Sequence, residues 1–428
     1  MFFGLFDSVE KKTRKIAANW LELADKVYHY RRDVLSDAER TSIQQAAGNL
    51  RQQLSQKNDA SRLKLSIEAL EGVLRRTGGM HYPKSGLVEN IEFFLVAAIV
   101  ILGVRMYFVQ PFKIPTNSMW PSYNGMTSEV FASKADEPGP AGRALRLVAM
   151  GARPRTVDAP VGGEVLIPLI NNGSSAMLPY HEVKGRSWFI FPARLKEYTL
   201  LVDGKPVRLT LPWDFDFEWV IRDAFFKDRV SSRDPGRVDL GTLLRAQRNT
   251  YTDEKSGIQF LRTGKTVKAG ERVLSFDILT GDQLFVDRMS YHFVKPSVGD
   301  GFVFRTGNIE GIRSQYGDQY YIKRLVGTPG DLLQVKNFRL YRNGAPITGS
   351  KAFERNAKQE GNYVGYRNEG LLAGDNTFSV PADSYFAMGD NSANSGDSRY
   401  WGTVPAKDVV GRPLFIYYPF TKRWGPAP

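Results

Sequence analysis

Cysteine is absent from the 428 residues. Its absence excludes thiol nucleophiles, Cys-bound structural zinc and disulfides, and it is compatible with either side of a bacterial membrane. Histidine is scarce. His29, His81, His181 and His292 are scattered along the chain. His181-Glu182 is followed by Val183, Lys184 and Gly185, so the second histidine of a zinc-peptidase helix is missing. No metal or other cofactor is implied. One histidine would suffice for a Ser-His-Asp triad, but none of the four lies in a nucleophile-elbow context. Long apolar runs are missing too, with a single exception, and a hydrophobic fraction of 42% excludes a polytopic membrane protein. No helix-turn-helix, zinc-finger or RNA-binding signature accompanies the formal charge of +13, so nucleic acid is not indicated as a partner. The charge suits a protein working beside anionic lipid, or simply a basic solvated surface.

The exception is Val88 to Val109, 22 residues or about 33 Å of helix, enough to match a bilayer core. Glu92 and Arg105 confine its charge-free part to Phe93–Val104. Charges near both ends can reach headgroups, and Tyr107 and Phe108 suit an interface. We read one transmembrane helix at 88–109. Arg75, Arg76 and Lys84 precede it, which puts residues 1–86 in the cytoplasm and the rest outside.

Before the span, Met1-Phe-Phe-Gly-Leu-Phe6 is an apolar terminus, too short to cross a membrane and open to a role as an interfacial anchor. Ser36-Asp-Ala-Glu39 is a capping box. Apolar residues follow at Ile43, Ala47, Leu50 and Leu54, and again at Leu63, Ile67, Leu70 and Leu74. Both sets have helical spacing, but the step from Leu54 to Leu63 breaks the register, so the pattern predicts a helical hairpin. Beyond the span the chain reads as strands punctuated by turns. Tyr198–Val202, Asp203-Gly204 and Lys205–Leu211 predict one hairpin. Arg339–Arg342, Asn343-Gly344 and Ala345-Pro-Ile347 predict another, with Pro346 marking an edge.

Four stretches carry candidate chemistry. In Gln110-Pro-Phe-Lys-Ile-Pro-Thr-Asn-Ser-Met-Trp-Pro-Ser122, Ser118 lies between Pro115 and Pro121, which fix φ and make the segment a stiff extended piece or a turn. Gly281 to Tyr291 alternates like a core strand. In Asp318 to Asp331, Lys323 and Arg324 point to opposite faces of a strand, so one basic residue falls among apolar neighbours whichever face is buried. A buried lysine loses solvation and favours the neutral amine, which can accept a serine proton; an edge-strand lysine reaching water fits the same pattern. Met388 to Gly402 is rich in small polar residues and reads as a surface loop, or, if buried, as a site where Asp390, Asp397 and Arg399 need partners.

Together these stretches resemble the bacterial type I signal peptidase family. Ile114-Pro-Thr-Asn-Ser-Met-Trp-Pro121 is similar to the family's nucleophile box, Ile-Pro-Ser-Gly-Ser-Met-x-Pro. Lys323-Arg-Leu-Val-Gly-Thr-Pro-Gly-Asp331 is similar to its general-base box, and Gly389 to Gly402 to its last box almost residue for residue. Gly281 to Tyr291 resembles the strand box between. The resemblance spans about residues 86–123 and 279–418. It implies Ser118 as nucleophile and Lys323 as base, with the Ser118 amide and the Thr116 hydroxyl as the oxyanion hole. Thr116 stands where the family more often has Ser, and keeps the hydroxyl donor. Ser395 matches the serine that orients the lysine, and Asp397 and Arg399 match a supporting ion pair.

The fold implied is mainly β, a signal-peptidase-type, β-barrel-like catalytic domain (110–123 and 279–428) with an N-terminal helical hairpin and one transmembrane helix. The function implied is a membrane-anchored serine endopeptidase that removes signal peptides, with small residues at −1 and −3, from exported preproteins at the bacterial inner membrane. Its partners are those preproteins and membrane lipid. Two rivals are a self-cleaving Ser/Lys repressor-type protease, which would be soluble and carry a DNA-binding domain, and a catalytically silent membrane-anchored binding protein. The chain departs from the family at residues 124–278, read as an inserted extracytoplasmic domain whose partner is unknown.

Overall fold

The computed structural model describes residues 9–56, 59–171, 176–187, 191–226, 250–253 and 258–428. The Met1–Phe6 terminus lies outside them. The chain divides into two compact units, residues 1–102 and 103–428.

The first unit is helical. Ser36 caps α2 (Asp37–Ser55) in the anticipated box: its Oγ accepts from the Glu39 amide, and the Glu39 carboxylate accepts from the Ser36 amide. Asp59 caps α3 (Ala60–Thr77) by accepting from the Arg62 amide. The two apolar stripes face one another, and Leu50, Leu63, Leu70 and Leu74 are fully buried; each such leucine contributes about 1.5–3 kcal/mol relative to exposure. The hairpin is therefore present, but it is not complete in itself. An unanticipated helix, α1 (Val9–Arg31), packs on both members through Ala17, Leu21, Ala24 and Val27. Its buried face is built largely from small residues and Thr13, so its apolar stripe is faint in sequence.

Helix α4 (Gly86–Tyr107) buries none of its side chains and is long and apolar enough to cross a membrane. Glu92, the charge that shortens its apolar stretch, pairs with Lys84 outside the helix. The helix ends before the sequence boundary at Val109. Val109 instead opens the strand Val109–Lys113 and pairs with Asp287, while the Phe108 carbonyl accepts from the Arg288 amide. Strand pairing thus overrides apolarity there.

The second unit is mainly β. One antiparallel sheet runs in the order Val109–Lys113, Gln283–Asp287, Val409–Tyr418, Gly301–Arg305, Tyr320–Gly327, Ser384–Met388, Val404–Pro405. Register shifts at Phe285/Val286, Val303/Phe304 and Leu325/Gly327 mark irregularities of the kind that bend a sheet, and it curls as a half-barrel. Both two-residue hairpins form, with Asp203, Gly204, Asn343 and Gly344 all at positive φ, the condition for a type I′ turn. Ala345–Pro346 pairs on one side only, as Pro346 requires.

Residues between the Ser118 segment and the Gln283–Asp287 strand build further sheets. Thr127–Val130, Arg272–Leu279 and Arg153–Asp158 make one; Phe191–Val202, Gly163–Asn171 and Gln259–Val267 are central to another. They share a core that includes Ile167, Leu200, Leu211, Val220 and Phe276. Phe215, Phe217 and Trp219 enter this core, with Phe215 stacked on Phe276 at 6.0 Å. Helix α5 (Pro140–Met150) and helix α6 (Phe217–Phe225) belong to the same region.

Candidate active site

Ser118 sits in a turn, held on every side by backbone bonds. The Ile114 amide donates to the Asp282 carbonyl at 2.9 Å, and the Met126 amide to the Pro115 carbonyl at 3.1 Å. Asn117 ties the ends together: its Nδ2 donates to the Met126 carbonyl and its Oδ1 accepts from the Gly125 amide, both at 2.9 Å. Ile114, Met119 and Tyr123 anchor the turn in the core beneath. Arg423 donates to the Pro121 and Ser122 carbonyls and pairs with the buried Asp282 at 2.6 Å. The two prolines thus sit in a segment that its neighbours over-determine, and Ser118 remains half-exposed at its tip.

The structure brings Lys323 to this turn from a strand 205 residues away in sequence. Its Nζ lies 2.6 Å from Ser118 Oγ. The Tyr320–Gly327 strand is flanked by Gly301–Arg305 and Ser384–Met388, so it has no solvent edge, and Lys323 is 3% exposed. Burial pushes the lysine down to about 8 from 10.5, against the raising influence of Asp397 and Asp390. Arg324, on the other face, is equally buried. Alternation predicts one buried cation; the sheet covers both faces and buries two. Arg324 makes a bidentate pair with Asp390, closest at 2.6 Å, and also donates to the Gly299 carbonyl. Asp390 therefore finds its partner on the strand and not within its own loop.

The polar stretch from Met388 to Gly402 follows the end of a strand into the interior as a loop and closes in a short helix, Ser398–Trp401. Asp397 and Arg399 form a fully buried two-point pair at 2.8 and 2.9 Å. Arg399 also holds the Ser392 carbonyl, and the Asp397 carboxylate accepts from the Gly389 amide. Asn391 links this loop to the nucleophile turn: its amide donates to the Ser118 carbonyl at 3.1 Å and its Nδ2 to the Asn117 carbonyl at 3.0 Å. Gly389 is demanded by crowding. A Cβ there would stand 2.2 Å from Ser395 Oγ and 2.4 Å from the Ser118 carbonyl oxygen.

Ser395 is buried beside the pair, but its Oγ makes no hydrogen bond, so the structure does not join it to the lysine amine. Thr116 is exposed on the rim of the same cleft. Asn391, Asp282 and Arg423 escape the sequence reading, because each acts through backbone carbonyls or amides that only the fold brings near. Asp282 lies inside the Gly281–Tyr291 stretch, where a core strand was explanation enough.

The Signal peptidase, peptidase S26 family profile matches residues 265–418. The chain is similar to Probable signal peptidase I-1 of Synechocystis, 34% identical over 34% of this chain and 66% of that protein. It is also 34% identical to Signal peptidase I P of Bacillus subtilis subsp. natto, over 34% of this chain and 72% of the relative. The chain belongs to the type I signal peptidase family. A further relative, at 29% identity and 72% of its length, is named Inactive signal peptidase IA of Staphylococcus aureus. The match spans just under two thirds of the Synechocystis relative. Lys323, Ser395, Asp397 and Arg399 fall within the signal peptidase profile, whereas Thr116, Ser118 and the residues of α6 precede it.

The cleft around Ser118 and Lys323 has a volume of about 1090 Å³. One wall is the curled sheet, with Phe112, Leu284, Val303 and Ile322; the other comes from the intervening region, with Tyr180, Lys196 and Trp213. Lys196 lies between the rings of Tyr180 and Trp213, 4.9 and 5.0 Å from their centres, and Arg194 covers Trp213 at 4.0 Å.

Proposed function

We propose that this protein is a membrane-anchored serine endopeptidase that uses a Ser118–Lys323 dyad to cleave signal peptides from exported preproteins. The observation that carries the proposal is the 2.6 Å approach of Lys323 Nζ to Ser118 Oγ, made by an amine whose burial holds it at about 8. A lysine near that value is partly neutral at working pH and able to act as a base. Ser118 Oγ attacks the scissile carbonyl carbon while Lys323 takes its proton. The oxyanion faces the Ser118 amide and the Thr116 hydroxyl. Lys323 returns the proton to the leaving amine, giving an acyl-enzyme, and then activates the water that hydrolyses it. The Asp397–Arg399 pair supports the dyad by fixing the loop that Asn391 ties to Ser118, and Ser395, whose Oγ is unbonded here, is packed beside it. Small side chains at −1 and −3 of the substrate complete the reading.

We place residues 88–109 across the bacterial inner membrane, with 1–86 cytoplasmic and 110–123, 124–278 and 279–428 extracytoplasmic. The apolar helix at Gly86–Tyr107 and the basic residues before it support this, and added protease should digest the C-terminal part from the periplasmic side of spheroplasts. The S. aureus relative named inactive favours a second reading, a silent binding protein on the same scaffold. Against it stand Ser118 and Lys323, both retained and in contact.

Processing of a signal-bearing preprotein by the full-length protein in lipid vesicles, with N-terminal sequencing of the product, tests the proposal. Ser118→Ala and Lys323→Ala should each abolish processing and leave the melting temperature close to the parent's. Substantial cleavage by either variant would sink the dyad.

A further inference from the structure

Helix α6 lies outside the residues that the signal peptidase profile matches, yet it reaches both halves of the site. At its first turn the Asp216 carboxylate caps the helix by accepting from the Glu218 amide at 3.1 Å. Asn394 lies close to the same carboxylate, and both residues line the cleft. Asn394 closes the Ser392–Asn394 turn, its amide donating to the Asn391 carbonyl at 2.9 Å, immediately before Ser395. One turn further along the helix, Trp219 meets Trp120 edge-on, with ring centres 5.3 Å apart and planes at 84°. Trp120 is two residues past the nucleophile and packs against the core of the intervening region. Its amide, donating to the Asn117 carbonyl at 3.1 Å, helps close the Ser118 turn.

The two halves are themselves joined by Asn391, which holds the carbonyls of both Asn117 and Ser118. α6 therefore bridges the site: Trp219 meets Trp120 beside Ser118, and Asp216 faces Asn394 on the loop that Asn391 ties back to the same turn. Such bracing resists the small displacements to which catalysis is most sensitive, since a misplacement of about 1 Å can cost about 100-fold in rate.

We propose that Asp216 and Trp219 are positioning residues for the Ser118–Lys323 site, so that the region between the nucleophile turn and the catalytic sheet is part of the enzyme's machinery and not an attached accessory. This rests on the peptidase reading above. Neither residue exchanges protons with substrate; both act through Asn394 and Trp120.

The test uses the full-length protein in lipid vesicles, with Asp216→Ala, Asp216→Asn, Trp219→Leu and Trp219→Phe. Two rates are read: kcat and KM for preprotein processing, and the burst of p-nitrophenolate from a p-nitrophenyl ester, which reports acylation of Ser118 without a signal peptide. Asp216→Ala and Trp219→Leu are expected to lower both kcat and the burst rate by about 10- to 100-fold with KM within about 2-fold. Asp216→Asn, which keeps a hydrogen-bonding amide, and Trp219→Phe, which keeps a ring edge, should recover most of the loss. If Trp219→Leu fails to fold, the Asp216 pair decides alone. Unchanged rates in Asp216→Ala, a change confined to KM, or equal damage in the conservative variants would overturn the proposal. A parent protein that gives the burst but leaves preproteins intact would instead overturn the signal-peptide reading, and the burst rates of the variants would still judge this one.

Discussion

At the scale of single residues, the chemistry turns on how far burial shifts one amine. Lys323 goes from 10.5 to about 8 in the folded chain, a difference of about 3 kcal/mol between its protonation states. Two expectations follow. On the proposed mechanism cleavage needs the neutral amine, so kcat/KM for preprotein processing should rise with pH through an apparent pKa near 8. Lys323→Arg should be inactive throughout, because a guanidinium does not lose its proton. Stability moves in the same direction. The folded pKa lies below the unfolded one, so the unfolded chain binds the extra proton and burial costs stability below pH 8. The cost is relieved as pH climbs from about 8 to 10.5. Lys323→Met should therefore melt above the parent at pH 6, with the gap closing by pH 10. A constant gap would mean that the lysine is not desolvated in the folded protein.

At the scale of elements, the loop from Gly389 to Arg399 buries several polar side chains, pairing Asp397 with Arg399 within itself and Asp390 and Asn391 with residues far along the chain. Removing one partner of the Asp397–Arg399 pair leaves the other charge stranded at zero exposure. Asp397→Ala should accordingly cost about 3–5 kcal/mol in chemical denaturation. Gly389→Ala tests the crowding at the junction of loop and nucleophile turn. The added methyl must displace Ser395 Oγ or the Ser118 carbonyl, and kcat should fall by about 100-fold or more, measured on the same preprotein. Sequence made the loop's polarity plain but left its place open, since polar runs are surface loops far more often than interior ones. Its interior position comes from Arg324 and Asn117, residues distant in the chain that supply partners for Asp390 and Asn391.

At the scale of the whole molecule, the N-terminal helices form a unit with their own core. A fragment ending at Lys84 is expected to be soluble and helical and to melt cooperatively. Leu50→Ala within it should destabilise it by about 2–5 kcal/mol, read from circular dichroism during thermal unfolding. A fragment that shows no cooperative transition would place the source of its order elsewhere. The capping box and both stripes of α2 and α3 were legible because large apolar side chains repeat there at helical spacing. α1 was not, because alanine and threonine line its buried face. The same contrast separates the two sides of the cleft: motif spacing marks Ser118 and Lys323, whereas nothing in the spelling of Asp216 or Trp219 says what they will touch.

By itself, the sequence determined the local matters: where helices start, which dipeptides turn a hairpin, which run is apolar enough for a bilayer, and which serine and lysine match a known peptidase. These depend on a residue and its near neighbours, through propensity, periodicity and side-chain chemistry. Tertiary structure alone decided that both Lys323 and Arg324 are buried, that Asp390 pairs across to the strand, and that the intervening region forms a wall of the cleft and braces the nucleophile turn. Those outcomes depend on which surfaces are excluded from water once distant strands meet. Desolvation, which brings Lys323 near 8 and makes each buried charge need its partner, exists only after that meeting.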